Sequence, residues 1–327
     1  MPSVAPQQRE SDLSEVNLYS FVIPVFNGEA TIEGVVARIL RAFNGEPIQI
    51  VLVDDGSHDS SARVCRELAL NHREHVEFVE LARNFGEHSA VLAGLAQSKG
   101  TMVAVLDDDG QNPPEELPGM FATLIQTGAD VVYGKYMERK HHWFRVAGSR
   151  FNDAVANVML NKPKGLYLSS FKVMNRFIVN EIVKHRGPFP YIDGLICRTT
   201  RRLVQVEVSH DSRTSGKSNY NLRRLIRLWL NMFLGFSILP LRLTSLIGMI
   251  IAALSCIWLL IILVDKLWLS PNVTAGIPTV LAVIVLFSGF QLVALGMIGE
   301  YLGRVFLENN GQPQYVIRAI HKKENSL

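Results

Sequence analysis

Residues 48–57 read IQIVLVDDGS, an apolar run that ends abruptly in two aspartates, a glycine and a serine. A short run rich in β-branched residues and closed by turn residues is typical of a strand buried within a sheet. The same pattern recurs in three other places, Tyr19–Pro24, Val76–Leu81 and Met102–Leu106. Amphipathic stretches with helical spacing separate the runs, at Glu29–Phe43, Ser60–Asn71 and Ser89–Gln97. This alternation predicts an α/β domain with a mostly parallel, Rossmann-like sheet and right-handed crossovers.

Acidic side chains follow two of the predicted strands, at the end where parallel α/β sheets bind their ligands. The second strand runs into DDGS, and the fourth runs into DDDGQ. Alternate side chains of an extended chain share a face, so Asp107 and Asp109 are expected to point the same way, with Gln111 one step further. Two carboxylates and an amide oxygen are hard ligands that suit Mg²⁺ or Mn²⁺. The sequence therefore predicts a divalent-metal site at this position.

An acidic turn that caps the next helix is the alternative explanation for DDDGQ. Residues 112–116, NPPEE, form a good helix start, and an aspartate before them suits a cap. The two interpretations are compatible with each other. Three adjacent aspartates repel one another, however, and a cap needs only one of them, so the pattern favours a metal site over capping alone.

Two long apolar runs lie near the C-terminal end, Leu243–Val264 and Ile277–Ile298, and neither contains a charged residue. Each meets the length of about 20 apolar residues that a bilayer core requires. They predict a two-helix transmembrane hairpin, and a pair of buried core helices is the alternative. Basic residues flank the pair, at Arg223, Arg224, Arg227, Arg242, Arg304, Arg318, Lys322 and Lys323. Since basic flanks stay on the cytoplasmic side, both termini and the large N-terminal part are predicted to be cytoplasmic.

The composition argues against several classes of protein. The net charge is only +3 over 327 residues, so no binding to nucleic acid is expected. Cys65, Cys197 and Cys256 are scattered along the chain and predict neither a disulfide framework nor a zinc motif. Residues 1–17 are polar and lack an apolar segment, so they are interpreted as a disordered tail rather than a signal peptide.

Several motifs together carry a resemblance to a known family. They are PVFN at 24–27, VDDGS at 53–57, RNFGEHSAVLAGL at 83–95, LDDDGQNPPEELP at 106–118 and RTSGKSNY at 213–220. With the two apolar runs, they make the chain resemble the family 2 glycosyltransferases of GT-A fold, and within them the polyprenyl-phosphate glycosyltransferases. The implied domains are a GT-A domain at 18–212, a phosphate-binding loop and interfacial helix at 213–242, two transmembrane helices at 243–300 and a cytosolic tail at 301–327.

The resemblance implies a nucleotide-sugar site at the ends of the strands. The residues that match donor-binding positions of the family are Pro24, Phe26, Asn27, Glu29, Asp54, Asp55, Arg83, Asp107 and Asp108. The metal ligands of the family match Asp107, Asp109 and Gln111, and Asp109 is also assigned to catalysis. The donor-side residues depart from the family pattern at two positions, because Gly28 precedes the glutamate and Asp108 stands where a small residue is usual; a third departure is Leu166–Leu168, where some relatives carry an acidic residue. The carboxylate of Asp108 is expected to face the sheet edge or solvent.

Other residues are assigned to phosphates and to proton transfer. Arg213 and Lys217 match a loop that closes over the diphosphate in the family and are assigned to catalysis; a solvated basic loop is the alternative. The predicted ligands of a lipid phosphate are Arg139, Arg145, Arg150 and Ser169. The three arginines flank a stretch with helical spacing, which suits either a helix in the headgroup layer or an ordinary core-facing helix. Asp193 is a candidate catalytic base, and a structural turn aspartate is an equal alternative.

The implied reaction transfers a sugar from a nucleotide diphosphate sugar to a polyprenyl phosphate, with inversion, in cell-envelope glycan synthesis or lipopolysaccharide modification. A UDP-sugar is the preferred donor and undecaprenyl phosphate the acceptor, at the bacterial inner membrane, with a homotetramer compatible with the family. Three alternatives remain: a GDP-mannose enzyme, a non-catalytic scaffold with a degenerate domain, and a processive polysaccharide synthase. The last is disfavoured because the chain lacks a QxxRW element.

Overall fold

The computed structural model describes residues 18–136, 165–187, 190–209, 246–248, 250, 253–254, 257, 276–311 and 313–322. Several predicted features lie outside these residues, namely the tail at 1–17, Arg139, Arg145, Arg150, Arg213, Lys217, the interfacial helix and most of the first apolar run. The chain divides into two compact units, one of residues 1–219 with 313–327 and the other of residues 220–312.

The first unit is built on one sheet, which has eight strands within the described residues. They are β1 (Tyr19–Val25), β2 (Ile48–Asp54), β3 (Val76–Leu81), β4 (Met102–Val105), β5 (Val131–Tyr136), β6 (Lys172–Asn175), β7 (Leu203–Val208) and β8 (Ile317–His321). Their order is β7-β5-β6-β4-β1-β2-β3-β8, and β4, β1, β2 and β3 are parallel to one another. β6 and β8 run antiparallel to their neighbours, and β7 pairs parallel with β5. The predicted α/β fold with a mostly parallel sheet is confirmed.

Helices cover both faces of this sheet. They are α1 (Ile32–Ala42), α2 (Ser61–Asn71), α3 (Glu87–Gln97), α4 (Leu117–Thr127), α5 (Arg176–Val183) and α6 (Ile192–Thr199). α1, α2 and α4 pack on one face, and α3, α5 and α6 pack on the other. Every residue of β2 is buried as a result, which explains its unbroken apolar sequence. The predicted helix start at 112–116 forms a 3₁₀ turn at Pro114–Glu116 that leads into α4.

Pro24, the last residue of the predicted strand run, lies inside β1, one residue before the strand ends. β1 continues to Val25, while its pairing with β4 ends at Val22. The backbone groups of Val22 point toward β4, since its carbonyl accepts the N–H of Leu106. The backbone of Pro24, two residues further on, points to the same side. The missing N–H of the proline therefore interrupts no ladder bond.

The C-terminal segment differs from the predicted cytosolic tail at 301–327. Residues 317–321 form β8, which pairs with β3 and so belongs to the sheet of the first unit. The ring of His321 stacks on Phe78 with centroids 5.5 Å apart, and Arg318 donates to the carbonyl of Ala82 at 3.0 Å. A strand of five residues that includes an arginine and a histidine gives too weak a sequence pattern to be distinguished from a tail.

The second unit contains α7 (Ile277–Asn309), which includes the second predicted span and extends into the predicted tail. Large apolar side chains of this helix are exposed, among them Leu292, Leu295 and Leu302. A Cβ added to Gly248 would lie 3.1 Å from Cε1 of Phe290, so the two apolar runs pack closely at this point. Within the residues that the structure describes, no helix is long and apolar enough to span a bilayer. The transmembrane hairpin stays a prediction.

Candidate active site

The candidate site lies at the carboxyl edge of the sheet, where β1, β2, β3 and β4 all end. β5 and β7 end at the same edge, because β5 is joined to β4 through the antiparallel β6, and Tyr136 pairs with Val208. The chain therefore leaves this edge twice, toward residues 137–164 and toward residues 210–219. Those two segments contain the arginines and the lysine that the sequence assigns to phosphates.

The acidic loop after β4 holds two carboxylates close enough to affect each other. Oδ2 of Asp107 accepts a hydrogen bond from the hydroxyl of Ser170 at 2.6 Å, and Oδ1 of Asp109 accepts the N–H of Gln111 at 3.1 Å. Desolvation raises the pKa of Asp107, the bond from Ser170 lowers it, and the charge of Asp109 raises it again. The structure thus brings the three predicted metal ligands into one short loop.

The oxygen ligands that this loop offers, two carboxylates and an amide, suit a divalent cation. The described residues contain no group of three or more His, Cys, Asp and Glu side chains placed to hold a metal, and the predicted set has only two carboxylates plus an amide. Mg²⁺ commonly binds one or two carboxylates and completes its shell with substrate phosphates and water. A cation here would also offset the repulsion between Asp107 and Asp109.

Asp108 turns toward the loop after β1, not toward the sheet edge or solvent as the sequence suggests. Its Oδ2 accepts the backbone N–H of Phe26 at 3.0 Å, which gives the half-buried carboxylate a partner. Desolvation raises the pKa of Asp108 to about 7; the bond from Phe26 opposes this shift, and the charges of Asp107 and Asp109 add to it.

The aspartates after β2 have different roles. Asp55 accepts two backbone N–H bonds, from Phe85 at 2.7 Å and from Gly86 at 2.9 Å, and so fixes the loop before α3. Asp54 is also buried, and its Oδ2 accepts the N–H of Ser57 at 3.3 Å. Oδ1 of Asp54 is buried without a hydrogen-bond partner among the described residues. An unsatisfied buried carboxylate oxygen at this edge fits an N–H donor of a ligand.

The loop after β1 is fastened to the loop after β2. Asn27 has a φ of 56°, and its side-chain oxygen accepts the N–H of His58 at 2.9 Å. The carboxylate of Glu29 accepts the N–H of Ser60 at 2.8 Å. These two predicted donor-binding residues therefore shape the site through the backbone of the neighbouring loop. Phe26 is half-buried, with its ring at the edge of His58.

Arg83 and Ser169 make local contacts in the structure, and their predicted binding roles stay predictions. The guanidinium of Arg83 is exposed and lies 4.2 Å from the centre of the Phe85 ring, a cation–π contact beside the donor loops. Ser169 is buried, and its hydroxyl accepts the N–H of Phe171 at 3.1 Å. Its neighbour Ser170 is the serine that reaches Asp107. The phosphate role of Ser169 stays a prediction.

A buried ion pair lies below the acidic loop. Lys172, the first residue of β6, pairs in the sheet with Val105 and donates to Oδ1 of Asp193, and both side chains are largely buried. The hydroxyl of Tyr133 donates to the same oxygen at 3.0 Å. Desolvation lowers the pKa of the adjacent His88 to about 4, and Asp193 opposes that shift. Asp193 is thus held in a structural network, and its role as a base stays a prediction.

Glu87, the first residue of α3, is close enough to Asp107, Lys172 and Asp193 to feel their charges. Its side chain is exposed, yet desolvation by the surrounding protein raises its pKa from 4.5 to about 7. The charges of Asp107, Asp193 and Asp108 raise the pKa further, and Lys172 opposes them.

Replacing Glu87 with glutamine is expected to stabilise the ligand-free protein only at high pH. Below pH 4.5 the glutamate is protonated in both the folded and the unfolded protein and does not affect stability. As the pH rises from 4.5 to about 7 only the unfolded protein ionises readily, so the glutamate lowers the free energy of unfolding, and above about pH 7 this loss is complete. With solvent screening, the gain for Glu87→Gln at pH 8 should be about 1 kcal/mol, or about 3 °C in Tm. Thermal melts in detergent at pH 5 and pH 8 would measure it. An equal shift at both pH values would contradict the electrostatic origin.

The sequence missed several residues of the site, namely Tyr133, Glu87, Ser170 and Lys172. Lys172 alone carries a readable signal, because a lysine within the run FKVM implies a buried charge that needs a partner. The others become visible only once the fold brings β4, β5, β6 and the start of α3 together.

Comparisons with known proteins agree with this architecture. A family model described as glycosyl transferase family 2 matches residues 20–183. The undecaprenyl-phosphate 4-deoxy-4-formamido-L-arabinose transferases of Proteus mirabilis and Edwardsiella ictaluri are 33% and 34% identical to this chain, over 95% of it and 96% of each relative. The solved structure of glucosyl-3-phosphoglycerate synthase from Mycobacterium tuberculosis, in complex with Mn²⁺, UDP and glucosyl-3-phosphoglycerate, is 20% identical, with a TM-score of 0.50 over 67% of this chain and 78% of that chain.

The family match and the full-length relatives carry the identification, and the solved structure supports the fold. The matched residues begin in β1 and end with α5, so they contain the acidic loop and the loops that surround it. The expected GT-A architecture is confirmed. The chain belongs to glycosyltransferase family 2 and is a glycosyltransferase.

Proposed function

We propose that this enzyme moves a sugar from a nucleotide diphosphate sugar, by preference a UDP-sugar, to undecaprenyl phosphate at the cytoplasmic face of the bacterial inner membrane. One observation carries the proposal: the acidic loop and both exits toward the predicted phosphate-binding segments share one edge of the sheet. A donor diphosphate and an acceptor phosphate would meet there. The names of relatives that match 95% of the chain support the same acceptor.

The donor side of the site follows from the described contacts. Asp54 is proposed to offer its unpartnered oxygen to an N–H of the base, and half-buried Phe26 to offer its aromatic ring. A divalent cation held by Asp107, Asp109 and Gln111 would neutralise the charge that develops on the departing nucleoside diphosphate. Arg213 and Lys217 are proposed to bind the same phosphate oxygens.

The acceptor side needs little help from a base. A phosphate monoester loses its second proton near pH 6, so the attacking oxygen is already anionic at neutral pH. This agrees with the structural use of Asp193, whose carboxylate is paired with Lys172 and Tyr133. Arg139, Arg145, Arg150 and Ser169 are proposed to position the lipid phosphate for attack with inversion. The product would serve cell-envelope glycan synthesis or lipopolysaccharide modification.

The membrane part of the proposal rests on the second unit. Its two apolar runs contain no charged residue, and basic residues flank them. The exposed apolar side chains of α7 suit a lipid environment better than water. A polyprenyl phosphate would then reach the enzyme from the bilayer in which the second unit lies.

A donor panel tests the function. The purified full chain in detergent would be incubated with undecaprenyl phosphate and UDP- or GDP-sugars, with Mn²⁺, with Mg²⁺ or with a chelator. We expect a lipid-linked sugar from at least one UDP-sugar in the presence of metal and none with the chelator, measured by mass spectrometry. Transfer from GDP-mannose alone would overturn the donor assignment. An absence of transfer from every donor would favour a non-catalytic scaffold.

A further inference from the structure

The two donor-side positions at which this chain departs from its family pattern, Gly28 and Asp108, are in contact. A Cβ added to Gly28 would lie 2.4 Å from Oδ2 of Asp108 and 3.0 Å from its Cγ. Contacts that short do not occur between real atoms, so the carboxylate of residue 108 fills the space that a side chain at residue 28 would need. A side chain at residue 28 would therefore force the carboxylate of Asp108 out of its present position.

The same carboxylate holds the backbone of the loop after β1. Oδ2 of Asp108 accepts the N–H of Phe26 at 3.0 Å, and the N–H of Gly28 is bound on the other side by the hydroxyl of Ser61 at 2.9 Å. Residues 26–28 are thus held between α2 and the acidic loop. The contact joins the loop that carries predicted base-binding residues to the loop that carries the predicted metal ligands.

We infer that Asp108 and Gly28 form a matched pair that sets the distance between the base-binding loop and the metal-binding loop, which makes Asp108 a positioning residue for the nucleoside diphosphate. This inference rests on the proposed donor. A nucleoside diphosphate must reach both loops at once, so a displacement of one loop from the other weakens binding of the whole ligand. Neither residue needs to touch the sugar that is transferred.

The pair predicts non-additive effects in a double-mutant cycle. Asp108→Ala removes the acceptor for Phe26, and Gly28→Ala forces the Asp108 carboxylate away, so each should weaken UDP binding about 10-fold. In the double variant the new methyl occupies the vacated space, and the loss should stay about 10-fold instead of reaching about 100-fold. Calorimetry with UDP and Mn²⁺ on the full chain in detergent would measure these affinities. In turnover assays, KM for the donor should rise about 10-fold with a much smaller change in kcat.

Two further variants separate positioning from other causes. Asp108→Asn keeps an oxygen for the Phe26 N–H and should recover most of the affinity; affinity as low as that of Asp108→Ala would mean that the charge acts directly, and would overturn the inference. Gly34→Ala, in α1, meets nothing within 4 Å and is the matched control for a glycine-to-alanine change, with unchanged UDP affinity. Additive losses in the cycle would also overturn the inference.

A thermal readout keeps the test independent of the donor. The changes in Tm should be non-additive across the cycle of the parent, Asp108→Ala, Gly28→Ala and the double variant. This holds even if the parent binds GDP or neither nucleotide, because the contact exists without a ligand. A non-additive Tm cycle without any nucleotide affinity would reject the proposed donor but keep the contact. An additive Tm cycle would reject the matched pair itself, whatever nucleotide the enzyme uses.

Discussion

Asp109→Asn is expected to reduce sugar transfer at least about 100-fold, and this is the largest effect on activity that the site predicts. The substitution keeps the size of the side chain and leaves an oxygen for the Gln111 N–H, so the loop should keep its shape. It removes one of two carboxylate charges that a divalent cation needs here, and single electrostatic contacts of this kind contribute factors of about 100 to 1,000. Transfer to undecaprenyl phosphate and Mn²⁺ affinity should fall together.

The matched control is Glu67→Gln, which neutralises an exposed carboxylate that pairs with Arg63 on α2. An exposed pair of this type adds little stability, so both activity and Tm should stay close to those of the parent. Asp109→Asn should likewise keep its Tm, and the proposed insertion into membranes should not change. Near-normal turnover of Asp109→Asn would show that the metal assignment is wrong.

Lys172→Met is expected to destabilise the first unit by about 3–5 kcal/mol, since it leaves the carboxylate of Asp193 buried without its counter-charge. The hydroxyl of Tyr133 remains as a donor but carries no charge. A loss of this size corresponds to a Tm decrease of about 10 °C. Thermal melts in detergent, followed by near-UV circular dichroism, would measure it.

The double variant Lys172→Met with Asp193→Leu should recover much of that loss, because an apolar pair replaces both buried charges at once. The recovery distinguishes a structural ion pair from a catalytic base. If Asp193 is also a base, Asp193→Asn should abolish turnover even in the fraction of the protein that stays folded. If Asp193 is structural, Asp193→Asn should lower the Tm and leave the folded fraction active.

The sequence predicts the scaffold of the site well, because the signals for it are local. The runs at 19–24, 48–53, 76–81 and 102–106 match β1 to β4 within one residue at each end. Strand ends in a parallel sheet share an edge, so the positions of Asp54, Asp107 and Asp109 follow from chain order alone. The matching family model covers the same residues.

The contacts between loops could not be predicted, because they depend on distances across the sheet. The sequence lists Asp54 and Asp55 as an equal pair, yet only Asp54 keeps an unpartnered oxygen. The sequence places the carboxylate of Asp108 at the sheet edge or in solvent, and only the structure shows that it accepts the N–H of Phe26. Lys172 pairs with Asp193, which is 21 residues away in the sequence, and no sequence periodicity connects the two positions. Tertiary pairing, not local propensity, decides these roles.

The strand β8 belongs to the first unit but is synthesised after the second unit. The sheet of the first unit therefore stays incomplete until residues 317–321 have been made. Residues 220–312 leave the ribosome before residues 317–321 do. During that interval β3 is an unpaired edge strand of the nascent sheet. A ribosome stalled anywhere in the second unit would hold a transferase domain with an open edge, ready to pair with another chain. The edge of β3 is covered only once residues 317–321 have been made, and β8 then becomes the outer strand of the described sheet.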